Sequence, residues 1–488
     1  MQPFALDSLM SWLHETPKVA SEPGPRPRAG LEADDFVRAF RLPPLPKNTK
    51  LTAKEFAVYL LHAGAEIEHS LLVQYLYAAY SINERRGNKE SNLALKWKTD
   101  IRLVAREEMA HLVTVQNLLL TLGAGIYLNR GSLHKADSAL PLPFKLERLS
   151  LQSVSKYVLF ESPSTSQMDV ETRKLIKKIR RQLGKGSRIS SVGSIYAALY
   201  WLFMKSDEPD SDWPFSRTVV SKFVRKYHEG FHLKDEDFVS GAEYLEQAAS
   251  PEEWGIFEND AHVDGGSPRE AALASLRWIM AQGEGPSAIE KSHFFRFLCI
   301  YKELKHLGAK SESMRMQVPT NPHVPLAKRG KSGHQVGTAI SNRRSKLWGE
   351  LVNARYQLMI MNIFCSLSAS RTRTEEKRRR FAQWALAEME FVKKIGQMLP
   401  LMSLANSKKK RAGAVFQAVL LPASESARHE FRGQLLDLSD RCVSLLQSKK
   451  AKLRKNTKDG PTAALAPGLL DSIARQNDEM RDMLRLLF

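Results

Sequence analysis

Residues 105–112 read AREEMAHL, three charged side chains set inside an apolar helical pattern. A helix through this stretch puts Val104, Glu108, His111 and Val115 on one stripe, at steps of four, three and four. That stripe should face a core, where a carboxylate and an imidazole are costly unless something satisfies them. A metal ion does so, and Glu-x-x-His is the spacing that lets two ligands on one helix reach one ion. The plainer alternative is a surface glutamate beside a hydrogen-bonded core histidine, because motifs this short often match by chance.

Helical periodicity extends to both sides. The first long helix begins at LTAKEFAVYLLHAGAEIEHSLLVQYLYAAYSI, where Thr52 and Glu55 make a capping-box pattern. The second spans about 91–122 and ends at Gly123, a suitable C-cap. From 123 to about 190 the pattern is irregular and closes on a basic run, and 191–269 mixes a helix at SIYAALYWLFMKS with acidic, glycine-containing loops. Helices return at 268–282 and 287–308 and, past a basic glycine-rich loop at 326–346, at 346–369 and 374–399. No segment carries a convincing strand period, so the expected fold class is all-α. Residues 1–50 read as a short N-terminal helix and a Pro-rich linker, 51–400 as a metal-binding domain with an insertion at about 123–267, and 401–488 as a basic helical extension.

A dinuclear carboxylate bundle needs two Glu-x-x-His turns and two further glutamates, all directed inward from four helices. Glu108 and His111 form one such turn, Glu290 and His293 another. Glu68 shares a face with Ala65, Leu72, Tyr75 and Leu76, whereas Glu66 is turned away by about 200° at 100° per residue. Glu284 stands between two glycines at the end of the preceding helix. Taken singly, Glu284 could be a solvated loop carboxylate and Glu290 an acidic residue favoured near a helix N-terminus. Coincidence is a poor explanation of the whole set. The expected metal ligands and catalytic residues are therefore Glu68, Glu108, His111, Glu284, Glu290 and His293.

Carboxylates and imidazoles suit Fe(II), Mn(II) or Zn(II), and four carboxylates balance two divalent cations in a buried site. Dinuclear non-haem iron is the first expectation. Manganese, zinc or a mixed-metal centre would use the same side chains, and the sequence leaves haem open. The expected partners are a small-molecule substrate and O₂ or a peroxide. Gln116, Tyr75 and Arg296 lie on the same faces but are assigned to packing or surface hydrogen bonding.

The charge balance bears on partners. The 488 residues carry 73 basic and 53 acidic side chains, a net charge of +20, which attracts nucleic acid, anionic membrane surfaces or acidic proteins. Cys299, Cys365 and Cys442 lie far apart with no C-x-x-C pair, so neither a disulfide framework nor a zinc ribbon is indicated. No signal peptide or membrane-spanning stretch is legible, and a cytoplasmic setting is expected. Self-association through the N-terminal segment is a further expectation.

The segments EIEHSLLVQYLYAAYSI, AREEMAHLVTVQNLLLTLG, QGEG and EKSHFFRF together resemble the ferritin-like domain of the iminophenyl-pyruvate dimer synthase family. That family includes enzymes that couple two amino-acid-derived imines in violacein and rebeccamycin biosynthesis. Weaker similarity runs through FKLERLSLQSVSKYVLFESP, NARYQLMIMNIF and LAEMEFVKKIGQMLPLM. The resemblance implies a ferritin-like four-helix bundle with additional helices and long irregular insertions. Position by position, its metal-site pattern falls on Glu68, Glu108, His111, Glu284 and His293, and less securely on Glu290. The well-known coupling enzymes carry a large region ahead of this domain, where about fifty residues stand here. The resemblance thus implies a metal-dependent oxidoreductase of secondary metabolism more firmly than the coupling of indole units.

Two other signals compete. His228-Glu229-Gly230-Phe231-His232 is a literal H-E-x-x-H, the zinc metallohydrolase motif, but glycine sits at its centre and its flanks are polar. The basic clusters SKKKR and KKAKLRK suit a nucleic-acid- or partner-binding protein on an inert scaffold. They lack aromatic interleaving and match no helix-turn-helix, zinc-finger or RNA-binding signature, and charge runs usually mark solvated faces.

Overall fold

A computed structural model of the protein describes residues 52–84, 89–130, 144–163, 168–183, 192–205, 232–254, 267–283, 292–324, 337–405, 410–448 and 460–487. The expected N-terminal helix and linker lie outside these residues, as do Glu284, Glu290 and His228 to Phe231.

Helix α1 (Ala53–Tyr80) starts where the capping box requires. Thr52 Oγ1 accepts the Glu55 N–H at 3.2 Å, and Glu55 accepts the Thr52 N–H at 2.8 Å. Helix α2 (Lys89–Thr121) ends in a left-handed turn at Gly123, φ +64°, whose N–H donates to Leu120 O. The two pack along their lengths, and α1 is buried on nearly every side from Phe56 to Tyr80. A helix apolar all round belongs inside a larger assembly.

The irregular stretch after Gly123 contains helices α3 (Leu151–Phe160) and α4 (Val170–Gln182). Each is short, and their serines and lysines blur the apolar period. Then follow α5 (Gly193–Phe203), the brief α6 (Gly241–Gln247) and α7 (Pro251–Trp254), α8 (Pro268–Gly283) and α9 (His293–Leu307). Helix α9 opens at His293 with Ser292 as its cap, Oγ accepting the Phe295 N–H at 3.2 Å. Residues 287–291, expected to precede it in the same helix and including Glu290, lie outside the described residues. Helix α3 packs on α9, α5 on α8, and both α8 and α9 on α2. One apolar core fills the space between them.

A second helical layer holds α10 (Arg343–Ser368), α11 (Glu375–Met398), α12 (Glu425–Gln447) and α13 (Gly460–Leu487). Among the described residues, strand structure is confined to a two-residue parallel ladder, β1 (Pro322–His323) with β2 (Thr338–Ala339), and a few isolated bridges. The fold is all-α, as the helical periodicity predicts. Among the described residues no helix is long and apolar enough to cross a membrane.

Polar contacts tie the layers together. His69, next to Glu68 but on another face of α1, meets Tyr356 Oη on α10 at 2.6 Å, and Arg130 Nε donates to the same hydroxyl at 3.0 Å. At Gly396 a Cβ would run into the Tyr80 ring, so α1 and α11 approach where no side chain intervenes. Gly396→Ala is expected to destabilise the fold by about 1–3 kcal/mol through overpacking, read as a lower unfolding midpoint.

Several of the basic residues that raise the net charge are inside. Arg378 is fully buried and donates to both oxygens of Glu253 and to the carbonyls of Gln247, Ala248, Ser366 and Ala369. Arg355 donates to Glu388 at 2.9 Å and Ser439 at 2.8 Å, and also to Asn477. Gln476 on α13 donates to the same Glu388 oxygen at 2.8 Å. The cysteines are free thiols, as their spacing implied.

Candidate metal centre

Four helices bring six polar side chains to one buried place. Glu68 comes from the middle of α1, Glu107, Glu108 and His111 from α2, Glu161 from the C-terminal end of α3, and His293 from the first turn of α9. Glu68, Glu108 and His111 form one group able to hold a metal ion, and Glu108, Glu161 and His293 form another. Within each group the ligand atoms lie within 4.8 Å of one another. Glu108 belongs to both.

Four of the six expected residues, Glu68, Glu108, His111 and His293, are therefore brought together, and all are at most 2% exposed. Glu284 and Glu290 lie outside the described residues. Gly283 reaches the site, where a Cβ would sit 3.5 Å from Glu161 Oε2. Glu161 was not singled out from sequence. Its signal was the stripe Val154, Tyr157, Val158 and Glu161, an apolar helical face ending in a carboxylate. No histidine follows three residues later, so the short helix offered nothing to draw attention to it.

Each imidazole turns Nδ1 toward the carboxylates and is held by Nε2 from behind. His111 Nδ1 lies 3.5 Å from both Glu68 Oε2 and Glu108 Oε2, while Nε2 meets Gln282 Oε1 at 2.8 Å. His293 Nδ1 lies 3.0 Å from Glu108 Oε1 and 3.5 Å from Glu161 Oε2, while Nε2 meets Glu107 Oε2 at 3.0 Å. Arg296 donates to that same Glu107 oxygen at 2.6 Å. A hydrogen bond at one ring nitrogen fixes the tautomer and leaves the other nitrogen's lone pair available. Arg296 thus pairs with a carboxylate beside the site, where the sequence suggested packing or surface hydrogen bonding. Gln116 is structural: its amide donates to Leu112 O at 3.1 Å and accepts the Tyr127 N–H at 2.8 Å.

Tyrosines satisfy the outer carboxylate oxygens. Tyr196 on α5 donates to Glu68 Oε1, and Tyr75 on α1 donates to Glu161 Oε1. Tyr75 therefore touches the site rather than serving packing alone. Tyr157 and Phe297 pack against its ring at centroid distances of 4.8 Å. Burial, then the nearby Glu161 and Glu108 charges, hold the Tyr75 phenol well above its usual range, so it stays a donor.

The electrostatics are those of a site short of positive charge. Burial, then the Glu108 carboxylate, pushes Glu68 up to about 8. Burial disfavours the His111 cation, but Glu108 and Glu68 outweigh it and raise the imidazole to about 10. His293 is likewise raised well above its usual value, burial being outweighed by Glu108, Glu107 and Glu161. Burial and Glu161 push Glu108 up, yet the His293 charge and hydrogen bonds with Glu68 and His111 leave it below the usual carboxylate range. Glu68 Oε2, Glu108 Oε1 and His293 Nδ1 are nonetheless buried without a well-aligned hydrogen bond. Their distances suit ion pairs while their geometry does not suit donation, which is the arrangement expected of atoms aimed at a shared cation. A cavity of about 20 Å³ adjoins them, walled by Leu71, Val192, Ile279 and Met280. It is the size of one or two water molecules.

The metallohydrolase motif contributes only His232 to the described residues. Its Nδ1 meets Trp201 O at 3.1 Å, and burial lowers its basicity.

Residues 61–302 match the ferritin-like family model. The chain is 30% identical over 138 residues to dichlorochromopyrrolate synthase of Lentzea aerocolonigenes, covering 24% of this chain and 14% of that protein. It is 27% identical over 348 residues to 2-imino-3-(indol-3-yl)propanoate dimerase of Chromobacterium violaceum, covering 65% of this chain and 29% of that protein. The chain thus spans less than a third of the length of these curated relatives. No solved structure matches significantly.

Proposed function

We propose, on the premise that this chain carries a ferritin-like domain and is a distant relative of imine-coupling enzymes of secondary metabolism, that it is a dinuclear non-haem metal oxidoreductase. Its substrate would be a small nitrogen-containing molecule such as an amino-acid-derived imine. The observation that carries this reading is the pair of buried ligand groups sharing Glu108. A single structural ion needs one such group, whereas a bridging carboxylate between two groups suits two ions.

The residues fit the cofactor. Three carboxylates and two imidazoles, with buried oxygen and nitrogen atoms left without aligned partners, are a donor set for Fe(II) or Mn(II). Glu68, Glu108 and His111 would hold one ion and Glu108, Glu161 and His293 the other, with Glu284 and Glu290 as further candidates. When bound, iron supplies the redox chemistry by which O₂ or a peroxide oxidises an organic substrate.

The chain's own residues prepare that site. Gln282 and Glu107 hold the far nitrogens of His111 and His293, and Arg296 holds Glu107. Tyr196 and Tyr75 keep a proton against Glu68 Oε1 and Glu161 Oε1, which turns the other oxygen of each inward. Leu71, Ile279 and Met280 exclude bulk water and so strengthen every charge interaction inside.

Protein loaded anaerobically with Fe(II) and exposed to O₂ and 2-imino-3-(indol-3-yl)propanoate, the compound in one relative's name, should consume both in an iron-dependent way. Oxygen uptake and product mass are the readouts. Failure to retain Fe(II) would remove the dinuclear reading, whereas retention without turnover of this imine would remove only this choice of substrate. Glu107→Gln is expected to weaken metal affinity by roughly 10–100-fold without abolishing binding, checked by competition with a chelator.

A further inference from the structure

Away from the metal centre, a cavity of about 110 Å³ lies between the C-terminal end of α10 and the first turns of α11 and α12. Arg428, Arg432 and Lys377 line it, with Phe364, Phe381 and the Cys365 thiol. The guanidinium groups stack on the rings, Arg428 over Phe364 at 4.7 Å and Arg432 over Phe381 at 4.8 Å. Stacking on a ring face leaves the N–H edges of a guanidinium directed sideways.

Arg432 differs from the other buried arginines. Arg355 and Arg378 pair with carboxylates, and Arg130 donates to a hydroxyl and to the carbonyls of Phe416 and Gln417. Arg432 is only 5% exposed, yet its hydrogen bond goes from Nη2 to Cys365 Sγ at 2.8 Å; its Nε, like that of Arg355, has no partner, so the thiol is what sets it apart. A thiol is a weak acceptor, and a buried cation with so poor a partner carries a desolvation cost that a bound anion would offset. Glu425 also lines the cavity and is the acidic member of the set, so three cationic side chains face one carboxylate.

We infer that this cavity is a binding site for a small oxyanion, a phosphate or the carboxylate of a small acid, held by the Arg432 guanidinium with Arg428 and Lys377 supplying charge. Its volume takes several water-sized groups but falls short of the roughly 150 Å³ that encloses a benzene ring. The anionic group itself, rather than an aromatic body, is what it accommodates.

The Cys365 thiol is a built-in reporter, and half-buried Cys299 on α9 is its control. The test is the rate of alkylation at both cysteines of the full-length protein, read by peptide mass spectrometry. It is run in inorganic phosphate, in acetate and in chloride at matched ionic strength, with the unfolding midpoint measured in each. Occupancy predicts saturable protection of Cys365 alone, roughly tenfold at about ten times the dissociation constant, with a rising midpoint. Stronger protection by phosphate than by acetate identifies a phosphate-type ligand, and the reverse identifies a carboxylate. Arg432→Gln should remove the protection, and Arg428→Gln, at a less buried position, should weaken it if the first variant does not fold. Equal effects of chloride, equal slowing at Cys299, no anion-dependent change in rate or midpoint, or full protection in both variants would overturn the proposal.

Discussion

Alanine at His111 or at His293 is expected to lower metal occupancy and abolish metal-dependent oxidation in the same preparation. Each histidine is the only imidazole of its group, so its loss leaves two carboxylates facing each other in a buried site. The loss in affinity should exceed the roughly 10–100-fold typical of partners that merely orient a ligand. Without metal, each variant also loses the group whose protonation offsets the Glu68, Glu108 and Glu161 charges. Metal content by elemental analysis and oxygen uptake check the two effects together. Full activity with normal occupancy in both variants would contradict the assignment.

A second large effect lies in the other layer. Arg355→Ala should destabilise the fold by about 3–5 kcal/mol, because it strands Glu388 as an unpaired buried carboxylate. Ser439 on α12 and Asn477 on α13 lose their common donor at the same time. Denaturant unfolding measures the loss, and a change near zero would mean that the network adds nothing to stability. The pH dependence has a definite sign. Burial raises Glu388 from 4.5 to about 7 despite the opposing Arg355 charge. A folded-state value above the unfolded one means that this group's contribution is full below about pH 4.5 and fades as pH rises through about 7. Relative to Glu388→Gln, the unchanged protein should therefore lose stability across that interval.

What the sequence revealed followed the length and regularity of its elements. The capping box at Thr52, the turn at Gly123 and the long apolar faces of α1 and α2 are local signals, each legible within a few residues. The inward stripe from Val104 to Val115 placed Glu108 and His111 on a buried face because helical steps alone decide that. Glu161 was harder. It caps a ten-residue helix whose period is too short to stand out, and it enters the site because α3 packs on α9, bringing it to His293 about 130 residues away in sequence. The roles of Tyr75, Tyr196 and Arg296 likewise depend on long-range pairings, to Glu161, Glu68 and Glu107, that no periodicity encodes.

The basic surplus also reads differently in three dimensions. Arg130, Arg355 and Arg378 are internal connectors, so part of the charge that suggested an acidic partner holds helices together. Among the described residues Arg432 is the buried arginine whose partner is weakest, and it marks the anion cavity.

Elemental analysis of the purified protein beside its Glu108→Ala variant bears most directly on the dinuclear reading, because Glu108 is shared by both ligand groups. About two ions of iron per chain, lost together in the variant, is the expected result for a dinuclear centre. No metal in the unchanged protein, or zinc that persists undiminished in Glu108→Ala, would contradict it.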